Sequence, residues 1–299
     1  MSIDKLKVLG LLAFLFIACN SVKKQHLNTS KTEVQGHRGD RGNFPENSLP
    51  AFKSAVEKGV DVIELDVVIS KDHKVVVSHE PFMSSHYVMT PDGSLISKEN
   101  EKSFNLYTMN YDSIRKFDIG SKGNALFPQQ QKIKTYKPLL AEVLDSIEDY
   151  AKMKRHKPIR YNIEIKSNKE EYGKSQPQPD VFVDLLMQVL KSKAILERVN
   201  IQSFDPLPLN ILRKKYHEVT IAFLTNKPGI EKNLAQLDFK PEIYSPHFKL
   251  VNTQFCDSLR KKGIKIIPWT VNEPADISAM ISFEVDGIIS DYPERVLGN

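Results

Sequence analysis

Two pairs of charged residues have the spacing that a metal site on β-strands would need. Glu64 and Asp66 are separated by one residue within an apolar run, and Glu164 and Lys166 repeat this spacing in a later run. Because side chains alternate along a strand, the members of each pair lie on the same face. Buried carboxylates are costly without a counter-charge, and a ligand set made only of oxygen favours Ca²⁺ or Mg²⁺ over zinc. The alternative is a salt-bridged cluster in which Lys166 neutralises one carboxylate.

Two histidines are candidates for acid–base chemistry near neutral pH. His37 follows the first apolar run and precedes Arg38, whose guanidinium can fork onto phosphate oxygens, while His79 ends another short run. Cleavage of a phosphodiester needs one group that takes the proton of the attacking oxygen and another that protonates the leaving alcohol. The pattern leaves two other interpretations open, in which His37 only packs in a capped turn and His79 lies on a surface hairpin.

The only tryptophan, Trp269, lies near the end of a late strand candidate. In a barrel, the carboxyl ends of the strands surround the active site. A tryptophan ring at such a position would form an apolar wall for a substrate. The alternative is an ordinary position in the hydrophobic core.

Short apolar runs alternate with helical patterns from Glu33 onward. The strand candidates are Val34–His37, Val60–Val68, Lys74–Ser78, Arg160–Ile165, Val199–Ser203, Val219–Leu224, Glu242–Ser245, Ile264–Thr270 and Asp286–Ser290. The helix candidates are Ser48–Lys58, Leu139–Met153, Asp180–Lys191, Leu207–Tyr216, Thr253–Lys262 and Glu273–Ile281. This alternation predicts βα units around a parallel sheet.

The second and third strand candidates are joined by a short polar turn, which predicts a hairpin. If Ser70 pairs opposite Val75, Asp66 lies opposite His79, and the hairpin returns His79 to the mouth of the barrel. The remaining strands then close a TIM-type (β/α)8 barrel with a small insertion after the second barrel strand. The predicted barrel domain extends over residues 33–299.

The segment from Phe82 to Tyr136 interrupts the alternation and is rich in polar and aromatic residues. A structureless loop of this length is unusual inside a compact domain. The segment, called the insertion below, is therefore predicted to be a small cap over the barrel mouth that limits the alcohol side of a substrate. The charged groups of the predicted site all lie outside the insertion, so the chemistry is expected not to depend on it. A surface excursion without substrate contact is the alternative.

The N-terminus has the features of an export signal. Lys5 and Lys7 precede the apolar run Val8–Ala18, which is too short to span a bilayer comfortably and ends at Cys19. Residues 1–18 are therefore predicted to be a lipoprotein-type signal peptide, with Cys19 as the lipidated residue and residues 19–32 as a flexible tether. The expected location is the bacterial envelope, on the periplasmic or cell-surface side. An ordinary cleaved signal and an uncleaved anchor are the alternatives.

The charge distribution gives little support for nucleic-acid binding. The formal net charge is +5, yet no block of lysine and arginine is interleaved with aromatic residues. Attraction to small phosphate-bearing substrates is compatible with this mildly basic balance. The oligomeric state is left open.

Taken together, the ordered motifs resemble the glycerophosphodiester phosphodiesterase family. The matching segments are His37-Arg38-Gly39, Pro45-Glu46-Asn47-Ser48, Glu64-Leu65-Asp66-Val67, Ser78-His79-Glu80-Pro81, Pro138-Leu139-Leu140, Glu164-Ile165-Lys166, Gln202-Ser203-Phe204, Trp269-Thr270-Val271-Asn272 and Asp286-Gly287-Ile288-Ile289. The resemblance implies a TIM-type barrel that hydrolyses glycerophosphodiesters, small-molecule substrates, to an alcohol and sn-glycerol 3-phosphate with a divalent cation.

The resemblance also implies roles for individual residues. The implied acid–base pair is His37 and His79, the implied metal ligands are Glu64, Asp66 and Glu164, the implied phosphate contacts are Arg38 and Lys166, and Glu46 supports the site. Glu80 departs from the aspartate that the family usually has after the second histidine. Two other function classes stay open: a related phospholipase or lyase that releases a cyclic phosphate from intact lipid, and a surface-attached binding protein without catalysis.

Overall fold

The computed structural model describes residues 32–154 and 157–298. The predicted signal peptide, Cys19 and all but the last residue of the predicted tether lie outside the described residues. Within the described ranges, no helix is both long enough and apolar enough to cross a membrane.

The strands form a barrel with one additional hairpin strand. Their bounds are β1 Glu33–Gly36, β2 Val62–Ile69, β3 Val75–Val77, β4 Arg160–Ile165, β5 Val199–Ser203, β6 Thr220–Thr225, β7 Ile243–Pro246, β8 Lys265–Ile266 and β9 Gly287–Ser290. All neighbours pair in parallel in the order β8-β7-β6-β5-β4-β2-β1-β9, except β3, which pairs antiparallel with β2. The predicted TIM-type barrel is confirmed.

The two ends of the strand order, β8 and β9, are joined by individual backbone hydrogen bonds rather than by a regular ladder, because β8 is short. The sequence predicts a strand over Ile264–Thr270, but only Lys265–Ile266 pairs regularly. Pro268 has no N–H to donate to a ladder. Its carbonyl instead accepts from Ile289 N at 3.0 Å, and Val271 N donates back to Ile289 O at 2.9 Å. These bonds close the sheet.

The helices surround the barrel. Their bounds are α1 Leu49–Lys58, α2 Tyr111–Ile114, α3 Leu140–Lys154, α4 Pro179–Ser192, α5 Pro206–Lys215, α6 Ile230–Leu234, α7 Thr253–Lys261, α8 Pro274–Ser282 and α9 Pro293–Leu297. The six predicted helices are present. The unpredicted α2, α6 and α9 have 4, 5 and 5 residues, too few for a helical period to be recognised in the sequence.

The burial of β2 explains how the site carboxylates are aimed. All eight residues of β2 are buried, because one face meets the helices and the other the barrel interior. Ile63 and Leu65 belong to the hydrophobic core that also contains Phe52 of α1. The alternating positions Glu64 and Asp66 therefore face inward.

The hairpin register predicted from the sequence is wrong by one residue. Val67 pairs with Val77, and Ser78 N donates to the Asp66 carbonyl at 3.0 Å, so Asp66 lies opposite Ser78 rather than His79. Ser70 N donates to the Lys74 carbonyl at 3.0 Å and closes a three-residue turn around His73, whose φ is +58°. A three-residue loop with a left-handed residue is a common hairpin connection.

The insertion has a small hydrophobic core of its own. Its buried members include Met83, Leu106 and Ile114, and they pack with Val68 and Val76 of the β2–β3 hairpin. The insertion also touches the loop after β1, where Gln131 N donates to the Asn43 carbonyl at 2.8 Å. It is therefore attached to the carboxyl-terminal end of the barrel through apolar packing and backbone bonds.

Candidate active site

A cavity of about 260 Å³ opens at the carboxyl-terminal ends of the strands. It is lined by His37, Arg38, Arg41, Glu64, His79, Glu164, Lys166, Gln202, Phe204, Leu224, Trp269, Thr270 and Ile289. Two further predicted residues, Glu46 and Asp66, lie behind this lining in contact with Arg38. The structure therefore brings together the predicted residues of the barrel, and Cys19 lies outside the described residues.

The predicted carboxylate cluster is present. Asp66 of β2 is the register partner of Glu164 of β4, and Glu64 lies two residues before Asp66 on the same face. All three side chains are buried, and one oxygen from each lies within 4.8 Å of the others. Since Ca²⁺ binds oxygens at about 2.3–2.6 Å, oxygens on one ion can be up to about 5 Å apart. The three carboxylates therefore fit around a single divalent cation.

The raised pKa values of Glu64 and Glu164 indicate that the negative charges of the cluster are only partly compensated. Burial and the charges of Asp66 and Glu164 raise the pKa of Glu64 well above its usual range. Burial also raises the pKa of Glu164, although Lys166 Nζ lies 2.7 Å from its Oε1. Lys166 therefore neutralises part of the cluster, as in the salt-bridge alternative, but a further positive charge would still be favourable.

Asp66 has a buried oxygen that is suited to bind a cation. Its burial, which would raise its pKa, is outweighed by the charges of His79, Arg38 and Lys166, so the pKa lies well below its usual range. Asp66 Oδ2 accepts a hydrogen bond from Asn47 Nδ2 at 2.8 Å, whereas Oδ1 is buried and accepts none from the described residues. A buried carboxylate oxygen without a donor fits a site for a hard cation.

Uncharged donors hold Glu64 in place. Gln202 Nε2 donates to Glu64 Oε1 at 2.9 Å, and the Arg38 backbone N–H donates to Oε2 at 2.8 Å. Gln202 was part of a recognised motif, but no role was predicted for it. Its position on β5, at the register partner of Glu164, could have indicated that it faces the same interior.

His37 is held by a residue that was not predicted as part of the site. Its Nδ1 lies 2.6 Å from Asp291 Oδ1, and Nε2 lies 3.9 Å from Glu64 Oε2. Burial of Asp291, which would raise its pKa, is outweighed by His37 and Arg41, so the pKa lies below its usual range. A carboxylate at Asp291 requires the proton on Nδ1 and leaves Nε2 facing the cavity. Asp291 directly follows β9, and this position at the end of a barrel strand could have indicated that it belongs to the site.

Burial also lowers the pKa of His37, in spite of the opposing effect of Asp291. Arg38 adds to the lowering with its nearby positive charge. The imidazole is consequently more readily neutral than a histidine in water, with Nε2 able to accept a proton.

Arg38 and Arg41 share one carboxylate. Arg38 Nη1 donates to Glu46 Oε1 at 2.6 Å, and Arg41 Nε donates to Glu46 Oε2 at 2.7 Å. Arg38 Nε also lies 3.3 Å from Asp66 Oδ2. Glu46 thus has the supporting position that the family resemblance implied, and Arg41 is a second cation at the cavity that was not predicted.

His79 reaches the cavity although the hairpin register differs from the prediction. Its Nδ1 lies 2.9 Å from Glu80 Oε1, and its side chain is 31% exposed. The longer glutamate side chain therefore still meets the histidine. Tyr87 of the insertion donates to Glu80 Oε2 at 2.6 Å, a contact that the sequence pattern did not predict.

The opposite side of the cavity is apolar. Trp269 is fixed by a hydrogen bond from Nε1 to the Ser245 carbonyl at 2.9 Å and packs edge-to-face on Phe204, with ring centroids 5.3 Å apart. Leu224 and Ile289 complete this side. The cavity therefore joins a charged half, suited to phosphate and metal, to an apolar half that includes the predicted tryptophan.

Comparison with known proteins agrees with this arrangement. The Glycerophosphoryl diester phosphodiesterase family model matches residues 37–295. A glycerophosphodiester phosphodiesterase of Caldanaerobacter subterraneus subsp. tengcongensis is 32% identical over 267 residues, covering 89% of this chain and 97% of that protein.

Solved structures show the same fold. A Silicibacter pomeroyi protein, assigned as a glycerophosphoryl diester phosphodiesterase, superposes with a TM-score of 0.80 at 26% identity, covering 89% of this chain and 92% of that one. An Oleispira antarctica phosphodiesterase in complex with sn-glycerol-3-phosphate gives a TM-score of 0.70 at 21% identity, covering 89% and 95% of the two chains.

Proposed function

Because the chain belongs to the glycerophosphoryl diester phosphodiesterase family, we propose that it hydrolyses glycerophosphodiesters to an alcohol and sn-glycerol 3-phosphate. We further propose that His37 and His79 are the acid–base pair and that Glu64, Asp66 and Glu164 hold one divalent cation, Ca²⁺ or Mg²⁺. The observation that carries this proposal is the placement of the buried carboxylate cluster in a cavity with two histidines, each with a carboxylate against Nδ1.

The two histidines supply the proton transfers. With Nδ1 engaged by Asp291 or Glu80, each imidazole has only Nε2 left for the reaction. One imidazole, in its neutral form, accepts a proton from the attacking water at Nε2, and the other, as an imidazolium, donates its Nε2 proton to the oxygen of the leaving alcohol.

The charged half of the cavity binds the phosphoryl group. When bound, the cation would offset negative charge on the phosphoryl oxygens. Arg38 and Lys166 line the same half and are the proposed phosphate contacts, with Glu46 fixing Arg38. Trp269 and its apolar neighbours form a wall against the carbon skeleton of the glycerol moiety.

Hydrolysis of a panel of glycerophosphodiesters, with and without chelator, tests this function. We expect release of sn-glycerol 3-phosphate, loss of activity after chelation, and recovery on addition of Ca²⁺ or Mg²⁺. Full activity in excess chelator after exhaustive dialysis would contradict the metal proposal. A cyclic phosphate product from intact lipid would instead identify a lyase, and bound ligand without turnover would identify a binding protein.

Attachment to the cell envelope is a separate proposal that rests on the N-terminal sequence. The run Val8–Ala18 and Cys19 support a mature chain that begins at Cys19 and carries acyl groups. Since a single acyl chain gives only marginal membrane binding, several chains are expected. Mass spectrometry of the mature N-terminus provides the test, and an unmodified residue or a different cleavage site would contradict lipidation.

A further inference from the structure

A buried lysine beside the catalytic cavity has no role in the proposed reaction. Lys137 immediately follows the insertion, and its side chain is 2% exposed. Burying an ammonium group is costly unless hydrogen-bond partners and a negative charge compensate. Its Nζ donates to Ser78 Oγ at 2.8 Å and to the Tyr87 hydroxyl at 3.4 Å. Both of these hydroxyls also contact Glu80.

The hydrogen bonds run in one direction from Lys137 to Glu80. The Tyr87 hydroxyl donates to Glu80 Oε2 at 2.6 Å, and Ser78 Oγ donates to the Glu80 carbonyl at 2.6 Å. An ammonium group only donates and a carboxylate only accepts. Each hydroxyl therefore accepts a hydrogen bond from the lysine and donates one to Glu80, Tyr87 to the carboxylate and Ser78 to the backbone carbonyl.

The direction of these hydrogen bonds favours a carboxylate at Glu80, and that carboxylate in turn favours a proton on His79 Nδ1. Glu80 Oε1 faces His79 Nδ1 at 2.9 Å, and a carboxylate there requires an N–H. Burial of Glu80, which would raise its pKa, is outweighed by the hydrogen bond and charge of His79 and by Lys137, so the pKa lies well below its usual range. Whenever the imidazole carries a single proton, that proton is therefore held on Nδ1, and Nε2 is left for the substrate.

We propose that Tyr87 and Lys137 are positioning residues of the phosphodiesterase reaction, which hold Glu80 as an anion against His79 and thereby fix the ring orientation and tautomer of that histidine. This inference rests on the proposed role of His79. It makes the insertion a part of the catalytic apparatus. The earlier expectation that the insertion lies apart from the chemistry is thereby replaced by a specific contact, from the Tyr87 hydroxyl to Glu80.

Single substitutions can separate this role from plain structural support. Tyr87→Phe removes only the hydroxyl, Lys137→Met removes the ammonium but keeps the aliphatic stem, and Glu80→Gln removes the charge. Each should lower kcat about 10-fold, as for loss of one hydrogen bond to a charged group, with KM changed by no more than about threefold. In Glu80→Gln protein, the added Tyr87→Phe change should have little further effect, because both act through the same contact.

The chain offers a matched control for Tyr87→Phe. Tyr161 is also a buried tyrosine whose hydroxyl donates to a glutamate, Glu148 Oε1, at 2.8 Å. It lies near the start of β4, at the opposite end of that strand from Glu164. Tyr161→Phe should reduce the melting temperature as Tyr87→Phe does and should leave kcat unchanged.

Nitrogen-15 NMR of the imidazole gives a direct readout of the tautomer. The His79 signals, assigned by their loss in His79→Ala, should report a proton on Nδ1 in the wild-type protein and a mixture of tautomers in Lys137→Met or Tyr87→Phe. If Lys137→Met does not fold, Tyr87→Phe decides alone. A folded Tyr87→Phe with wild-type kcat and an unchanged tautomer would overturn the proposal, as would an equal effect of Tyr87→Phe in the Glu80→Gln background.

The same set of variants distinguishes this inference from the proposed function. If His79→Ala keeps wild-type turnover, the acid–base role of His79 is wrong and the inference is contradicted with it. If His79→Ala is slow while Tyr87→Phe and Lys137→Met are not, the proposed function stands and only the positioning role is contradicted.

Discussion

His37 and His79 each have a carboxylate against Nδ1, but the two carboxylates come from different parts of the molecule. Asp291 directly follows β9, and its backbone is fixed by the barrel that also carries His37. Glu80 follows the β2–β3 hairpin and is held by Tyr87 of the insertion. The first pair depends on parallel strands that end at the same edge, whereas the second depends on a segment outside the barrel repeat.

This difference separates what the barrel strands determine from what the loops and the insertion determine. Strand ends of a (β/α)8 barrel converge whatever loops connect them, so the His37 side is determined by the fold. The His79 side is built from loop residues, which vary most freely among related proteins. Variation in the insertion can therefore alter the hydrogen bonds that support His79 and leave those of His37 unaffected.

The largest expected effect comes from removing either histidine. His37→Ala and His79→Ala should each lower kcat by about 10²–10⁴-fold, the usual contribution of a positioned acid or base. Circular dichroism and thermal melting should show a folded protein, since both side chains line the cavity rather than the core. A variant that retains near-wild-type turnover would remove that histidine from the mechanism.

Substrates with different leaving groups can show which of His37 and His79 is the general acid and which is the general base. A nitrophenyl phosphodiester has a leaving group that needs no proton, so loss of the general acid should matter much less than with a choline ester. The histidine variant that recovers with the nitrophenyl substrate identifies the acid. Equal losses on both substrates for both variants would contradict a division into acid and base.

The two supporting carboxylates should differ in importance. Asp291→Asn should lower kcat about 100-fold, and Glu80→Gln about 10-fold, both within the range for hydrogen bonds to charged groups. The His37 side chain is 11% exposed and the His79 side chain 31% exposed, so water can replace a lost contact more easily at His79. Steady-state kinetics at saturating metal provide the measurement. A larger loss for Glu80→Gln would reverse the proposed ranking.

The sequence predicted the barrel half of the site well because strand periodicity places side chains on defined faces. Glu64, Asp66 and Glu164 converge as predicted, since neighbouring parallel strands align them. The family and the barrel fold are likewise confirmed. The motifs at the ends of the barrel strands were therefore sufficient to predict the position of these site residues.

The other half was not predictable in the same way. The hairpin register depends on the left-handed conformation of His73, which the sequence Lys71-Asp72-His73 does not dictate. The contact of Lys137 with Ser78 spans 59 residues and follows no period. Such long-range contacts of buried polar groups depend on how the insertion packs, and no local pattern encodes that packing.

The smallest expected effect concerns the alcohol side of the substrate. A second cleft, of about 290 Å³, lies where the insertion meets the loop after β4. Its lining consists of Pro81, Phe82, Lys102, Asn105, Glu171, Lys174 and Ser175. Asn105 Nδ2 donates to the Lys174 carbonyl at 2.9 Å and joins the two sides. Because Pro81, the residue after Glu80, lines the cleft, we expect the cleft to receive the head group of longer substrates, as the cap hypothesis for the insertion requires.

The lysines of this cleft give the hypothesis a measurable consequence. Lys102 and Lys174 outnumber Glu171, so the cleft should disfavour a cationic head group. Changing both lysines to methionine should raise kcat/KM for glycerophosphocholine relative to glycerophosphoinositol by about fivefold, since two exposed charge interactions of about 0.5 kcal/mol each amount to about 1 kcal/mol. The metal requirement and kcat for glycerophosphoinositol should not change, because neither lysine touches His79 or the carboxylate cluster. An unchanged ratio between the two substrates would contradict the cap hypothesis, and head-group preference would then be assigned to the barrel loops around Phe204 and Trp269.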